Sequence, residues 1–351
     1  MAGGQERVLR RRIRSVESTK KITRAMELIA ASRIVRAQQA IAAARPYVAK
    51  MSEVVAHVSG TPEASRHPLF RDVESTEKVA IILITADRGL AGGYNSSIIR
   101  TVERLARDHR AAGRDVQLIT VGRKGESHFR YRNQPVLASV TGISDRPRYE
   151  DARRVVGSVM TPFEAAQLDQ IQLVYTRFVS LGSQSVNVRQ LVPLVRRREP
   201  QRQGGPSSPL GEDEPANSGP GTPAVAAAGG DIYHGPGPGV AGHKTDYEFE
   251  PEPERILERL LPSWLEAEVL AAMLESAASE HAARQRAMKA ATDNADDLIK
   301  TLRRVMNRAR QDAITTEIME IVGGAEALRQ AGAADAAGPY SDTYDTAAES
   351  A

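Results

Sequence analysis

Two apolar stripes, one near each end of the chain, constrain its fold more than any other feature of the sequence. In both stripes the apolar side chains mostly recur at alternating steps of three and four residues, which is the spacing of coiled-coil helices. The first stripe comprises Leu9, Ile13, Val16, Ile22, Met26, Ile29, Ala40, Ala44, Tyr47, Met51, Val55 and Val58. The second comprises Trp264, Leu270, Met273, Ala277, His281, Met288, Ala295, Leu298, Leu302, Val305, Ala309, Ile314, Ile318 and Ile321. We therefore predict two long terminal helices that pair with each other in antiparallel orientation.

Residues at the ends of these stripes predict where the helices begin and bend. Pro46 lies within the first stripe and is expected to kink that helix without ending it. In the second stripe, Ser263 follows Pro262 and is predicted to be the N-cap. Gly323 and Gly324 are expected to loosen the far end of the same helix.

The middle of the chain has a different pattern. Short apolar runs predict strands, and the first two, which end in glycine-bearing loops, are typical of a buried parallel sheet. The predicted strands cover residues 79–86, 116–122, 170–179 and 186–194, and the predicted helices cover 96–112 and 149–166. Aromatic residues make up only 4% of the chain, which disfavours an all-β sandwich or barrel. We predict an α/β fold, in which a small Rossmann-like α/β domain accompanies the long antiparallel coiled coil.

Composition divides the chain into six segments. Residues 200–245 contain 8 Pro and 11 Gly among 46 residues, with too few large apolar side chains to bury a core. We predict an N-terminal coiled-coil helix at 1–58, a linker at 59–76, an α/β domain at 77–196, a Pro/Gly-rich insertion with a short following segment at 197–253, a C-terminal coiled-coil helix at 254–328 and an unstructured tail at 329–351.

Charge and residue usage exclude several classes of protein. Lys and Arg total 47 against 44 Asp and Glu, so the net charge of +3 does not demand a nucleic-acid partner. The chain contains no cysteine, which excludes disulfides, thiolate zinc sites and a cysteine nucleophile. The longest apolar run, residues 79–84, is far shorter than the roughly 20 residues that cross a bilayer, and the charged first residues do not resemble a signal peptide. We expect a soluble protein on the cytosolic side of the membrane.

The sequence TADRGLAGGYN, at residues 85–95, lies between a predicted strand and a predicted helix, where backbone amides can bind phosphate. It lacks the Lys-Ser/Thr ending of a P-loop, and its three glycines do not have the dinucleotide-binding spacing. Glycines that form a turn are the favoured interpretation. Asp87 and Arg88 are interpreted as a solvated turn or a protein contact. Because the seven histidines include no pair at the i, i+4 spacing either, we predict no catalytic residue, no cofactor and no metal.

The first helix is strongly basic, since ten basic residues outnumber Glu6, Glu17 and Glu27. The basic residues are Arg7, Arg10, Arg11, Arg12, Arg14, Lys20, Lys21, Arg24, Arg33 and Arg36. Such a helix suits an acidic partner, but a solvated helix face has the same composition. Nucleic acid is a third interpretation, which the lack of interleaved aromatic residues weakens.

Three separated motifs carry a resemblance to a known family. They are KKITRAMELIAASRIVRAQ at 20–38, TADRGLAGGYN at 85–95, and a run of about fifty residues, ASEHAARQRAMKAATDNADDLIKTLRRVMNRARQDAITTEIMEIVGGAEAL, at 278–328. Together they resemble the gamma subunits of F-type ATP synthases. The similarity is dense over 7–58 and 254–328 and looser over 77–196.

This resemblance implies a central rotor, in which the two terminal helices form an asymmetric coiled coil inside a ring of three alpha and three beta subunits. The α/β domain would be the foot, which rides with the epsilon subunit on the membrane ring of c subunits. The chain would transmit torque for ATP synthesis driven by proton flow, without a catalytic site or a cofactor of its own. It would be peripheral on the cytoplasmic side of the cell membrane, bound there only through the complex, with no nucleic-acid partner.

The resemblance also implies which helix residues contact partners or affect coupling. Lys21, Arg24 and Met26 match the part of the first helix that affects coupling to the beta subunits, although packing in the coil is an alternative role for Met26. Polar positions on the last helix match residues that touch the ring or secure the shaft: Glu280, Arg284, Arg310, Gln311, Thr315, Glu317 and Glu320.

Two further pairs are implied outside the helices. Asp87 and Arg88 match a loop that contacts a beta subunit transiently, and Asp246 and Tyr247 match a foot segment near the c ring and epsilon. Relatives often carry a cysteine at the position of Ala91, so a thiol-based role at this loop is excluded here. The Pro/Gly-rich insertion departs from the family pattern, and we predict that it stays mobile and modulates at most the epsilon or c-ring contact.

Two other functions stay open on the residues alone. The first is an α/β enzyme that binds a nucleotide at residues 85–95 and dimerises through its long helices, which ATP turnover by the isolated protein would favour. The second is a coiled-coil scaffold or nucleic-acid adaptor, for which steeply salt-dependent DNA binding would be the marker.

Overall fold

A computed structural model of the chain describes residues 2–58, 67–71, 75–194 and 253–336. The predicted insertion at 200–245, Asp246, Tyr247 and the end of the predicted tail lie outside these residues. Long helices occupy both ends of the described chain: α1 at Ala2–Val58 and α5 at Pro253–Ala336. Between them lie β1 (Lys78–Ile84), α2 (Tyr94–Ala111), β2 (Asp115–Val121), α3 (Arg123–Tyr131), β3 (Val136–Val140), α4 (Tyr149–Glu164), β4 (Gln170–Phe178) and β5 (Gln184–Val192).

The five strands form one sheet in the order β3-β2-β1-β4-β5. The four strands β3, β2, β1 and β4 are parallel, and β5 pairs antiparallel to β4 at the edge. The predicted α/β fold is thus confirmed. The sequence missed β3 and α3, because the side chains of β3 are only partly buried and α3 has just two buried residues, Gly125 and Phe129.

Helices cover both faces of the sheet, as the apolar runs of its central strands require. Alternate residues of a strand point to opposite faces. On one face, Ile81 and Leu83 of β1 belong to a core that includes Ile98 of α2. On the other face, Ile82 belongs to a core that α4 and α5 complete, with Phe163 among its buried members.

The described residues form two compact units. The first combines residues 1–25 with 289–351, and the second is residues 26–288. Within the first unit, Ile13 packs with Leu302, and the Thr23 and Thr292 hydroxyls lie 2.8 Å apart. Residues nearer the start of α1 contact residues nearer the end of α5, so the two helices run antiparallel.

The same relation holds within residues 26–288. Val48 packs with Ala267 and Ala271, and the Trp264 indole donates a 3.0 Å hydrogen bond to the Ser52 hydroxyl. The predicted antiparallel coiled coil is confirmed. α1 continues as helix through Pro46, as the sequence predicted.

The buried side of α1 follows a stricter repeat than the apolar stripe. One set of buried residues recurs at multiples of seven: Ile13, Glu27, Ile34, Val48 and Val55. A second set with the same repeat contains Thr23, Ala30 and Val58. By contrast, Ile22 and Ile29, which the stripe included, are 58% and 54% exposed. A coiled coil needs a 3.5-residue period, so its contact line stays in register through Thr23 and Glu27 instead of following the isoleucines.

The start of α5 also corrects the sequence analysis. The helix begins at Pro253, so Ser263 lies inside it and its hydroxyl donates to the Arg259 carbonyl at 3.0 Å instead of capping. Burial explains how the helix passes Pro262, because Leu257 and Leu261 are 1% and 0% exposed and hold this turn against the core. At the other end, the backbone stays helical through both glycines as far as Ala336.

Candidate functional site

The loop between β1 and α2 contains Asp87, whose carboxylate binds backbone amides from two other loops. One carboxylate oxygen accepts from Arg123 N at 3.1 Å and from Gly142 N at 2.8 Å, and the other accepts from Ser144 N at 2.9 Å. The amide of Asp87 itself donates to the Ser144 hydroxyl at 3.0 Å. Asp87 therefore joins three loops at the carboxyl edge of the sheet, whereas Arg88 is exposed.

Hydrogen bonding sets the ionisation of Asp87. Burial works to raise the pKa of its carboxyl, but the amides of Gly142, Ser144 and Arg123 outweigh burial and hold the pKa below its usual range. A carboxylate with a lowered pKa stabilises the folded state above the pKa of the unfolded chain. That contribution is lost as the pH falls through the lower pKa of the folded state.

We expect Asp87→Ala to destabilise the chain by about 2 kcal/mol, because three amide donors lose a charged acceptor and only some of them can bind water instead. Urea unfolding of the full chain measures this loss. Arg88→Ala is the matched control at the neighbouring exposed position and should change stability by less than about 0.5 kcal/mol. Equal losses in the two variants would contradict the joining role of Asp87.

The glycine-rich part of the same loop packs against α5. Gly92 has a φ of +55°, and a Cβ there would lie 3.6 Å from the Ala287 Cβ. The neighbouring Leu90 also has positive φ and is 62% exposed. This geometry agrees with glycines that form a turn, and it makes Arg88 and Leu90 the outward-facing side chains of the loop.

Glu280 and Arg284, which the resemblance implied as ring contacts or shaft-securing residues, lie inside this chain. Their side chains are 1% and 8% exposed and form a 2.7 Å ion pair. Arg284 also donates to the Gly89 carbonyl at 3.2 Å. These contacts secure α5 to the β1–α2 loop.

The same region contains the nearest approach to a metal-ligand set among the described residues. Asp145, Glu280 and His281 each place one ligand atom within 4.8 Å of the others. Both carboxylates are already neutralised, because Arg33 pairs with Asp145 at 2.7 Å and Arg284 pairs with Glu280. Helical spacing gave no signal for this cluster, since Asp145 comes from the β3–α4 loop. We do not assign a metal to it.

The predicted positions on α1 lie on its outer side or beside the contact line. Lys21 and Arg24 are exposed and Met26 is half-buried. Leu28 and Ile29, one helical turn further on, are 57% and 54% exposed. Basic and apolar side chains thus share the outward surface of this helix.

Beyond Met306, which packs near Ile13, α5 has no described neighbour over most of its length. All the implied contact residues in this stretch are exposed: Arg310, Gln311, Thr315, Glu317 and Glu320. Large apolar side chains accompany them and are also exposed: Ile314, Ile318, Met319, Ile321, Val322 and Leu328. Clustered apolar exposure on a helix is typical of a surface that contacts another molecule. We call residues 307–330 the bare end of α5.

None of the helices in the described ranges is long and apolar enough to cross a membrane. The described residues thus define a class of protein: an antiparallel coiled coil together with a small α/β domain, with one helix end that has no described neighbour. The model of a family described as ATP synthase matches residues 5–328 of the chain.

Curated relatives and solved structures agree with this class. The ATP synthase gamma chain of Parafrankia sp. is 44% identical over 329 residues, which cover 93% of this chain and 98% of the relative. That of Streptomyces avermitilis is 42% identical over 333 residues, which cover 94% and 98%. The chain belongs to the ATP synthase gamma chain family.

Two solved structures share the fold. A chain in the OSCP/F1/c-ring structure of Euglena gracilis mitochondrial ATP synthase has a TM-score of 0.57 at 16% identity, covering 98% of this chain and 100% of that chain. One in the central stalk/c-ring structure of the Tetrahymena thermophila enzyme has a TM-score of 0.51 at 23% identity, covering 77% and 99%.

Proposed function

We propose that this chain is the central rotor shaft of a proton-translocating F-type ATP synthase, where it transmits torque between the membrane c ring and the catalytic head. The observation that carries the proposal is the bare end of α5, an apolar helix end on an antiparallel coiled coil in a chain of the gamma family. The apolar side chains of such a shaft need surrounding subunits that cover them. The alpha and beta subunits, three of each, form this surrounding ring, which we call the sleeve.

Apolar contact suits a turning shaft for a physical reason. The hydrophobic effect is non-directional, so exposed isoleucines favour burial in the sleeve without fixing one rotational angle. Exposed ion pairs contribute only about 0.2–1 kcal/mol each, so polar contacts form and break during a turn at small cost. The shaft biases the three catalytic sites differently because a single helix beyond the paired region presents different side chains in different directions.

The other residues that the resemblance implied as partner contacts are assigned here according to the exposure of their side chains. Lys21, Arg24 and Met26 meet the ring from α1, and Arg88 meets a beta subunit at the β1–α2 loop, whose shape Asp87 maintains. The foot contacts epsilon and the c ring. The matched chains come from structures of a central stalk with its c-ring and of an OSCP/F1/c-ring assembly, which supports partners of this kind.

In this proposal the chain transmits torque through contacts with its partners and catalyses no chemical reaction of its own. Asp87 and Arg284 are both engaged inside the chain, which supports a structural use of the loop at residues 85–95. The subunit is peripheral on the cytoplasmic side of the cell membrane and is held there through the complex.

The absence of cysteine makes a direct test possible, because any thiol introduced is unique within this chain. We expect Ile318→Cys, paired with a cysteine in the facing sleeve subunit of the assembled enzyme, to form a disulfide on oxidation. That disulfide should abolish both ATP synthesis and ATP hydrolysis, and reduction should restore them. Activity assays with non-reducing gels measure both effects.

The matched control is Ile318→Cys without the partner cysteine, which should keep full activity after oxidation. Full turnover by the crosslinked enzyme would contradict a rotating shaft. Assembly-independent ATP turnover by the isolated chain would favour the nucleotide-binding enzyme instead.

A further inference from the structure

Two buried carboxylate oxygens, one on Asp145 and one on Glu280, have no hydrogen-bond donor. The other oxygen of each carboxylate is bound to an arginine. Arg33 of α1 lies 2.7 Å from Asp145 Oδ2, and Arg284 of α5 lies 2.7 Å from Glu280 Oε1. Asp145 Oδ1 and Glu280 Oε2 are therefore the atoms left over after both ion pairs have formed.

These two side chains lie close together, with the Asp145 side chain 31% exposed and the Glu280 side chain buried. The Glu280 side chain is 1% exposed, and a carboxylate oxygen of each residue lies within 4.8 Å of the other and of a ring nitrogen of His281. A buried acceptor without a donor costs roughly 1–3 kcal/mol, and two ionised carboxylates that share a site repel each other. Arg33 and Arg284 offset the two negative charges, and a proton or a cation between the free oxygens would relieve the cost that remains.

The surrounding charges decide between a metal ion and a proton. A divalent ion would face Arg33 and Arg284, and the remaining nitrogen ligand, His281, has a pKa lowered to about 4 by burial and by Arg284. A proton adds a single charge and makes one strong hydrogen bond between the two free oxygens. It also satisfies both acceptors at once.

We propose that Glu280 and Asp145 share one proton, which Glu280 Oε2 carries and donates to Asp145 Oδ1. This bond fixes α5 to the β3–α4 loop. Asp87 binds the same loop through Gly142 and Ser144, so the proton completes a joint between α5 and the carboxyl edge of the sheet.

Electrostatics supports the assignment of the proton to Glu280. Burial, the largest effect, raises the pKa of the Glu280 carboxyl, Arg284 lowers it, and Asp145 raises it. On α2, burial raises the pKa of the Tyr94 phenol, and the nearby Glu280 raises it further. A raised pKa means that the joint is complete at low pH and is lost as the pH rises through the folded-state pKa.

The test is infrared spectroscopy of the full chain, which detects the carbonyl stretch of protonated carboxylic acids. Glu275 is the matched control on the same helix, because it is also buried and its pKa is raised to about 7, mainly by burial. At neutral pH we expect Glu280→Gln to remove one carboxylic-acid band that Glu275→Gln leaves in place. We also expect the melting temperature of Glu280→Gln, relative to the unsubstituted chain, to rise as the pH is raised.

Asp145→Asn provides a second test that does not replace Glu280. Arg33 needs an acceptor and holds the amide oxygen, so the amide NH2 faces Glu280 and donates to it. Glu280 then ionises, and its band disappears at neutral pH. Persistence of the band in Asp145→Asn, or its absence from the unsubstituted chain at neutral pH, would overturn the shared proton. So would a rise in melting temperature on adding Mg²⁺ or Zn²⁺ that Glu280→Gln abolishes, since that result identifies a cation site.

Discussion

Gly122→Ala is expected to cost the chain about 4 kcal/mol of folding free energy. Gly122 follows β2 with a φ of +92°, and a Cβ built there lies 2.0 Å from the Thr85 carbonyl oxygen. The Thr85 backbone is fixed, since its amide donates to Val121 at 2.8 Å and its side chain is fully buried. Backbone strain of about 1–3 kcal/mol and overpacking of similar size therefore add. Urea unfolding of the full chain measures the loss.

The control for this prediction separates strain from steric clash. Gly113 also has a positive φ, +77°, but a Cβ there meets nothing within 4 Å. Gly113→Ala should therefore cost only about 1–2 kcal/mol, the price of the left-handed backbone alone. If the two variants lose the same stability, the Thr85 contact contributes nothing and the explanation is wrong.

Such a loss also has a functional consequence. The free energy of unfolding of a domain is only about 5–15 kcal/mol, so the Gly122→Ala variant loses a large part of it. The loops that Asp87 joins lie at the same edge of the sheet. We expect the variant to lower the yield of assembled enzyme before it changes the turnover of the enzyme that does assemble.

The coiled coil could be predicted from the sequence because its period extends over many turns, but the contact line within it could not. Hydrophobicity alone placed Ile22 and Ile29 in the seam, and the structure places Thr23 and Ala30 there. Only the partner helix reveals this choice, since Thr23 is buried against Thr292. In the proposed function, the isoleucines left outside are available to contact another subunit.

The candidate site shows the same limit at longer range. The motif around Asp87 is visible in the sequence, but its amide partners at Gly142 and Ser144 lie more than fifty residues away. Asp145 and Glu280 are separated further still, and no local pattern links them. Exposure was also not predictable for residues on one helix, since Glu280 is buried and Glu317 is exposed. Sequence motifs marked the candidate segments, and tertiary packing decided which side chains point outward.

Arg189→Met is expected to destabilise the chain by about 3 kcal/mol. Arg189 of β5 lies 2.6 Å from Glu268 of α5, whose side chain is only 2% exposed. On the other side, the Ser52 hydroxyl of α1 lies 3.1 Å from Glu268 and accepts from the Trp264 indole at 3.0 Å. Removing the guanidinium leaves a buried carboxylate with one neutral donor, and an uncompensated buried charge costs about 3–5 kcal/mol. The partial exposure of Arg189 places the expected loss at the lower end.

A double-mutant cycle tests the cause of that loss. Glu268→Gln removes the charge and keeps an oxygen that accepts from Ser52, so Arg189→Met should cost about 1 kcal/mol in that background. Lys300→Met is the surface control, because Lys300 and Asp297 are 71% and 77% exposed and their 3.1 Å pair should contribute less than about 1 kcal/mol. An Arg189→Met loss that is unchanged by Glu268→Gln would mean that packing of the arginine stem holds β5 to the shaft. The contact between β5 and α5 at this position would then be apolar, and the stability loss of Arg189→Met would be insensitive to salt.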